Sequence, residues 1–397
     1  MNGLAVHPVA DDYGGTIRQA APETTWRRLQ PHLAAVGITR VADVTLLDDL
    51  GIPVWQAIRP NSANLTVSQG KGPSHLLARV SAAMEAFELH CAEEPQLARR
   101  VCRADEIGLA SDPTGSVPGS AAVPASGPVL LEDHLLGPGS LLECVPVEDL
   151  ADGTHRWWPL DAIAVDFRIR RWWQPPGVRV TSNGLASGNT LAEATLHGLL
   201  ELVERHSLAH ARAQGSPWQR AHQLVPGNHG IPAELADRFA SADALVEVVD
   251  VTHPVLGIPS FLARVWSPSL PRWFSGSGSH GDPAIALSRA LTEAAQSRVT
   301  AIAGARDDVG GMAFDFAAGP PPKSADRPVR TSDAVLGTHA PPPARLDLET
   351  ELLRLTQRCN RLGATVLRAD LTVAEYGIPV VRVVAPGLAF TERHGHG

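Results

Sequence analysis

The stretch Leu65-Thr66-Val67-Ser68-Gln69-Gly70-Lys71-Gly72, running on to Ser81-Ala82-Ala83-Met84-Glu85-Ala86-Phe87-Glu88, sets the pattern on which this chain is built. A short apolar run leads into a Gly/Ser-rich turn, and a long segment carrying acids follows. Leu77, Val80, Met84, Phe87 and Cys91 recur at helical spacing, so that segment is read as a helix. The same order returns at Val178-Arg179-Val180-Thr181-Ser182-Asn183-Gly184, ahead of His197, Glu201 and Glu204. It returns again at Trp273-Phe274-Ser275-Gly276-Ser277-Gly278, ahead of Arg289, Glu293 and Gln296. Ser81, Glu85 and Glu88 form the matching set on the first helix. Each set falls at i, i+4 and i+7, which puts its members on one helix face.

A second motif is also written three times. Asp43-Val44-Thr45 precedes Gly51-Ile52-Pro53-Val54, Asp250-Val251-Thr252 precedes Gly257-Ile258-Pro259-Ser260, and Asp370-Leu371-Thr372 precedes Gly377-Ile378-Pro379-Val380. Each copy is flanked by β-branched and apolar residues, so it reads as strand, punctuation, strand. Proline at the start of a strand costs the sheet little. The two motifs interleave without a regular βαβ rhythm. The expected fold class is therefore α+β, with mixed β-sheets, long helices and pseudo-repeated strand–Gly turn–helix units. Residues 1–40 are expected to be an N-terminal extension, 41–390 one intertwined catalytic domain and 391–397 a flexible tail. Residues 99–160 and 307–345 read as loop-rich excursions, with 315–343 either covering a substrate or disordered.

Of the 397 residues, 44% are hydrophobic and 19% charged, which is ordinary for a chain with a substantial core. A net charge of −8 argues against a general partner among nucleic acids or anionic membranes. No secretory signal or membrane span is visible, and Cys91, Cys102, Cys144 and Cys359 are scattered. The expected location is the cytoplasm.

An acid pair on a helix usually faces water. Here Glu85 and Glu88 lie beside the apolar stripe, with no basic residue three or four positions away, and the arrangement recurs on two more helices. Carboxylates placed so need a cation to stay ionised, and hard oxygen ligands suit Mg²⁺. Glu85, Glu88, Glu201, Glu204, Glu293 and Gln296 are the candidate metal ligands. Arg205 and Arg289 are candidate phosphate donors, although both also sit at ion-pair spacing from Glu201 and Glu293. Glu193 doubles as the acid of a capping box begun by Thr190. The glycine turns offer backbone N–H groups to an anion. Lys71 is the only lysine in the first hundred residues. No P-loop, no dinucleotide fingerprint and no nucleophile elbow is present. The terminal His394 and His396 read as tail.

Together these segments resemble the YcaO family: Ser68-Gln69-Gly70-Lys71-Gly72, the Ser81–Glu88 run, Ser182-Asn183-Gly184-Leu185-Ala186-Ser187-Gly188-Asn189-Thr190, Glu201-Leu202-Val203-Glu204-Arg205, and Arg289 to Arg298 ending at Asp307-Asp308. The resemblance covers residues 40–310 well. It implies a YcaO-like fold with ATP and more than one Mg²⁺ as cofactors. By the same resemblance, Ser68, Lys71, Ser81, Glu193, Arg205, Arg289 and Arg298 would contact nucleotide. It implies that ATP phosphorylates a backbone amide oxygen of a precursor peptide or protein, after which a nucleophile attacks the carbon and phosphate leaves. Many members carry Arg after the second helix acid, where this chain has Leu89.

The run Gly51 to Ser62 looks like members that work with a TfuA-like partner and an external sulfur donor to make thioamides. The chain lacks the Pro-x-Pro-x-Pro end of many azoline-forming members. Thioamidation is thus the expected activity, with azoline or amidine cyclodehydration as the alternative. A non-catalytic peptide-binding scaffold and simple phosphotransfer are the readings from other classes. A homodimer is implied by the resemblance alone.

Overall fold

The computed structural model describes residues 10–108, 136–166, 177–178, 180–306, 327–341 and 347–389. The chain opens with a hairpin of β1 (Asp11–Asp12) and β2 (Ile17–Arg18), then helix α1 (Pro22–Leu29). Strands β3 (Arg40–Asp43), β4 (Val54–Ile58) and β5 (Val67–Lys71) lead into helix α2 (His75–Glu93). β6 (Arg100–Arg103), β7 (Leu141–Asp149), β8 (His155–Pro159) and short α3 (Leu160–Ile163) come next. β9 (Leu185–Ser187) then leads into α4 (Leu191–Ala213). After β10 (His222–Val225) and α5 (Gly230–Ser241), strands β11 (Leu245–Asp250), β12 (Ser260–Ser267) and β13 (Leu270–Ser279) lead into α6 (Pro283–Ala303). β14 (Val329–Thr331), α7 (Ser332–Leu336), α8 (Leu348–Arg361), β15 (Leu367–Asp370) and β16 (Val380–Val384) follow.

The larger strands form sheets ordered β3-β4-β5, β13-β12-β11-β10-β14 and β6-β7-β15-β16-β9, with β8 also paired to β7. Only β10–β14 is parallel among the pairings described. The sheets therefore contain one arrangement three times: hairpin, third strand, long helix. It is β3-β4-β5 with α2, β11-β12-β13 with α6, and β15-β16-β9 with α4. In the last copy the order along the chain is permuted, because β9 and α4 precede the hairpin they complete.

The Asp-x-Thr motif is the loop of each hairpin, and its chemistry is the same in all three. The Asp side chain accepts from the Thr N–H: Thr45 to Asp43 at 2.9 Å, Thr252 to Asp250 at 2.9 Å, Thr372 to Asp370 at 3.0 Å. The Thr hydroxyl accepts from the first residue of the returning strand, Val54, Ser260 or Val380, at 3.1, 3.0 and 3.2 Å. Gly51, Gly257 and Gly377 each turn the loop at positive φ, 63°, 59° and 59°, where a side chain would be strained.

Of the three Gly/Ser segments expected as turns, two prove to be strand, β5 and β13, while Asn183-Gly184 does turn ahead of β9; the glycines of the two strands have a packing reason. A Cβ on Gly70 would lie 2.0 Å from the Ala78 carbonyl oxygen and 2.1 Å from the Ala82 nitrogen of α2. On Gly276 and Gly278 it would strike the α6 backbone at Ala294 and Ala286, 2.3 and 2.4 Å away. Small residues let β5 and β13 lie directly on their helices.

The expected excursion at 99–160 is corrected where it is described. β6, β7 and β8 belong to the six-stranded sheet, and Val145 and Val147 are core. Pro146 breaks the run in sequence yet stands opposite Trp157 within the ladder. Residues 10–40 pack against the rest of the chain. Trp26, Leu29, Val36 and Ile38 are buried in one cluster with Ala82, Ala83 and Phe87 of α2. Of the 315–343 stretch, residues 327–341 are described and carry β14 and α7, while residues 315–326 and 342–343 and the 391–397 tail, including His394 and His396, lie outside the described residues.

Candidate active site

Helices α2, α4 and α6 bring their marked faces toward one another. On α2, Glu88 accepts from the backbone N–H and the hydroxyl of Ser187 in β9, at 2.8 and 2.6 Å. Burial, with Glu85 and Glu201 nearby, pushes its carboxyl up to about 8 against the pull of the Ser187 bonds. Glu85 lies 4.0 Å from Arg306 just beyond α6. Ser81 stands one turn before Glu85.

On α4, Glu201 accepts the Gly184 N–H at 3.0 Å and lies 3.4 Å from Arg205. Glu204 accepts from Ser277 of β13 at 2.6 Å and lies 3.6 Å from Arg205. Burial raises the Glu204 pKa, and Glu293 and Glu201 add to the rise against Arg205. On α6, Glu293 pairs with Lys71 of β5 at 2.6 Å, and Gln296 donates to the Gln69 carbonyl at 2.8 Å. Thus Glu88, Glu201, Glu204 and Glu293 share an electrostatic neighbourhood, as their mutual influence shows.

The remaining expected contacts divide. Arg289 has no carboxylate within 4 Å among the described residues and donates to His197 Nε2. Arg18 of β2 donates to that same nitrogen at 3.0 Å and lies 3.7 Å from Glu193. Burial, Arg18 and Arg289 hold His197 well below the usual imidazole range, so it stays neutral, with its ring bonded to the Ser187 backbone. Two guanidiniums converging on one neutral acceptor make a natural seat for an anion. The sequence marked His197 only as a member of its helix face, without a role, and did not mark Arg18, because their partnership spans distant parts of the chain.

Thr190 caps α4 as the motif implies, accepting the N–H of Glu193 at 3.2 Å. The Glu193 carboxylate reaches instead to the Gln19 N–H at 2.9 Å and to Asn189 at 3.1 Å. Ser68 is buried on the α2-facing side of β5. Arg298 departs from expectation most clearly. It is 1% exposed and its donors are spent on Asp48, Asp49, Ser267 and Ser269, at 2.6 to 3.0 Å. Two residues beyond Gln296, it points to the opposite side of α6 and ties the first hairpin loop to the β12–β13 turn. Asp307 and Asp308 lie outside the described residues.

The donor set fits Mg²⁺ in one particular way. Burial and neighbouring acids push the carboxyls of Glu88 and Glu204 upward, and added positive charge would favour their ionised forms. Among the described residues, no three His, Cys, Asp or Glu side chains converge closely enough to hold a metal by themselves. A metal here would share its coordination with phosphate oxygens and water, as Mg²⁺ commonly does.

Comparison with known proteins agrees with this arrangement. Residues 69–389 match the family model described as YcaO cyclodehydratase, ATP- and Mg²⁺-binding. The chain belongs to the YcaO family, and ATP and Mg²⁺ are its cofactors. An uncharacterized protein of Mycobacterium tuberculosis (strain ATCC 25618 / H37Rv) is 38% identical over 393 residues, covering 95% of this chain and 83% of its own. A protein encoded in the tfuA 3′ region of Rhizobium leguminosarum bv. trifolii is 38% identical over 301 residues, covering 73% and 69%. This likeness supports the TfuA-associated branch.

Among solved structures, YcaO from Methanopyrus kandleri bound with AMPPCP and Mg²⁺ superposes with a TM-score of 0.70 at 22% identity, covering 96% of this chain and 95% of that one. A heterocyclase in complex with substrate and cofactor gives 0.72 at 22% identity, and this chain spans 54% of its length. At such identity these two matches speak for the YcaO-like fold. No helix among the described residues is long and apolar enough to cross a membrane.

Proposed function

We propose that this chain uses ATP and Mg²⁺ to phosphorylate the oxygen of a backbone amide in a ribosomally made peptide or protein, and that sulfide then converts the activated amide to a thioamide. The observation that carries the ATP-dependent step is the meeting of Glu88, Glu201, Glu204 and Glu293 with Arg18, Lys71, Arg205 and Arg289. The choice of sulfur is supported by the likeness to a protein encoded beside tfuA.

Glu88, Glu201, Glu204 and Glu293, with Glu85 and Gln296 at the margins, would hold the metal ions. Bound Mg²⁺ would screen the triphosphate charge and offset the charge that develops on the transferring phosphoryl group. Arg289 and Arg18 would leave their shared imidazole acceptor for phosphate oxygens, which are stronger partners for a guanidinium. Lys71 and Arg205 would follow, exchanging carboxylates for phosphate as the metal takes those carboxylates. Glu193, fixed by Gln19 and Asn189, and Ser81 flank the nucleotide in this reading. Ser68 and Arg298, both buried, would act by shaping β5 and anchoring α6.

The amide oxygen attacks the γ-phosphorus and ADP departs. Hydrosulfide then adds to the carbonyl carbon, the carbon–oxygen bond breaks and hydrogen phosphate leaves. The oxygen lost by the amide departs in that phosphate, and no oxidant or reductant is needed. A TfuA-like protein would be the partner that supplies sulfide.

Calorimetric titration of ATP with and without Mg²⁺, into the wild type and Glu201→Gln, tests the site. Mg²⁺-dependent binding that disappears in the variant is expected. Mass spectrometry of a peptide substrate, incubated with the TfuA-like partner and sulfide, tests the product. Exchange of oxygen for sulfur is expected, and loss of water would overturn thioamidation in favour of cyclodehydration.

A further inference from the structure

His280 lies buried near Arg289 and Arg18, and no step of the ATP reaction above uses it. It stands between β13 and α6 and is 5% exposed. Its backbone N–H donates to the Pro259 carbonyl at 3.1 Å, which holds it to the second hairpin loop. Its Nδ1 accepts the Asp282 N–H at 2.9 Å, just ahead of α6. These two bonds fix the place of the ring and its orientation. Burial, Arg289 and Arg18 hold the imidazole well below its usual range, so it stays neutral and carries one proton. With Nδ1 an acceptor, that proton belongs to Nε2. Among the described residues Nε2 has no hydrogen-bond partner.

The ring lines a small cavity with Arg18, Glu193, His197 and Arg289, and Leu200 and Leu348 belong to its apolar side. The two imidazoles in this lining are of opposite kinds. His197 presents Nε2 as an acceptor, and both guanidiniums donate to it. His280 presents Nε2 as a donor, which neither guanidinium can accept, because arginine has donors only. Glu193 is the one carboxylate among these lining residues, and the Gln19 N–H, Asn189 and Arg18 engage it. Two guanidiniums against one carboxylate leave the cavity with an excess of positive charge. A buried N–H without an acceptor is costly, and one set among cations calls for an acceptor that brings negative charge.

We propose that His280 donates its Nε2–H to the same phosphate group of ATP that draws Arg18 and Arg289 away from His197. The inference rests on the reading of this cavity as part of the ATP site. The two imidazoles then divide the work. His197 is the acceptor that keeps the guanidiniums in place before the nucleotide arrives, and His280 is the donor that adds a bond once it has. A neutral donor suits the place, because a third cation would be buried beside two others whenever the site is empty. The apolar side of the cavity strengthens the bond by lowering the local dielectric.

Asparagine and glutamine separate the two ring nitrogens. An Asn amide reaches the place of Nδ1 and keeps the bond from Asp282, whereas a Gln amide reaches the place of Nε2. Calorimetric titration of Mg²⁺-ATP into the full chain should give a dissociation constant roughly tenfold or more above wild type in His280→Asn and within about threefold in His280→Gln, the scale of one hydrogen bond to a charged group. A purely structural role predicts the reverse order, with Asn close to wild type and Gln impaired. Wild-type binding by His280→Asn, or equal weakening in both variants, overturns the proposal.

A crystal of the wild type with Mg²⁺ and a non-hydrolysable ATP analogue decides the matter even where neither variant folds. A phosphate oxygen within hydrogen-bond reach of His280 Nε2 is expected, and a bound nucleotide whose phosphates all lie out of its reach overturns the proposal while leaving the ATP site intact. Failure of the wild type to bind Mg²⁺-ATP at all overturns both.

Discussion

Among the described residues Glu88 accepts hydrogen bonds from the neutral donors of Ser187, while burial, Glu85 and Glu201 work against its charge. Its pKa is 4.5 in the ordinary state and about 8 in the folded chain. Between those values the folded form keeps the proton that the unfolded form has released. The stability tied to this proton is therefore full below about 4.5 and lost as pH rises through about 8. In EDTA the melting temperature should fall across that window. It should fall less in Glu88→Gln, and less again in wild type with Mg²⁺-ATP. A flat profile in EDTA would mean that Glu88 is already compensated.

The two arginines of α6 make a contrasting pair. Arg289→Ala should raise the dissociation constant of Mg²⁺-ATP at least tenfold with little change in melting, because its guanidinium has no carboxylate to leave behind. Arg298→Ala strands Asp48 in the interior and should cost about 3–5 kcal/mol of stability, read by denaturant titration. Both lie on a helix the sequence marks, yet sequence could not tell them apart. Asp48 is 250 positions from Arg298, and nothing local records that partnership. The same holds for Arg18 and His197, 179 positions apart. What the sequence did carry was the face of each helix, because i, i+4, i+7 spacing is local geometry.

At the level of elements, the thrice-written motifs translate into one unit of hairpin, third strand and helix. Strand and helix identities were legible because the apolar periods are local. The role of the glycines was not, since a glycine-rich run looks the same whether it turns or lies flat under a helix. Gly70→Ala and Gly276→Ala separate the two meanings. In a loop that receives an anion, such a change weakens ligand binding. Beneath a helix backbone 2.0 to 2.3 Å from the new carbon, β5 or β13 must lift off its helix. Overpacking of that kind costs about 1–3 kcal/mol or more. The expected result is a lowered denaturation midpoint in both variants. Unchanged stability with weakened ATP binding would return the glycines to the ligand. β7 was missed for a related reason: a proline inside a strand is rare, and its tolerance depends on a neighbour that sequence does not name.

Across the whole molecule, the candidate site belongs to no single copy of the unit. α2, α4 and α6 each give one face, and the carboxylates meet because three sheets hold three helices together. In the permuted copy β9 and α4 precede the hairpin they complete, so that unit joins the middle of the chain to its C-terminal end. The N-terminal residues belong to the same whole. Trp26 and Leu29 of α1, with Val36 and Ile38, bury their side chains against α2, and β2 brings Arg18 to α4 and α6. Burying each such side chain is worth about 1.5–3 kcal/mol, and a domain's whole margin is about 5–15 kcal/mol. A chain beginning at Val41 therefore loses burial comparable to its entire stability, before the loss of Arg18 is counted. Such a chain should be largely insoluble or unfolded by circular dichroism. The single change Arg18→Ala, by contrast, should keep the wild-type melting curve and weaken Mg²⁺-ATP binding. A truncated chain that melts cooperatively near the wild-type temperature would show that residues 1–40 are an extension after all, and that α2 finds its packing without them.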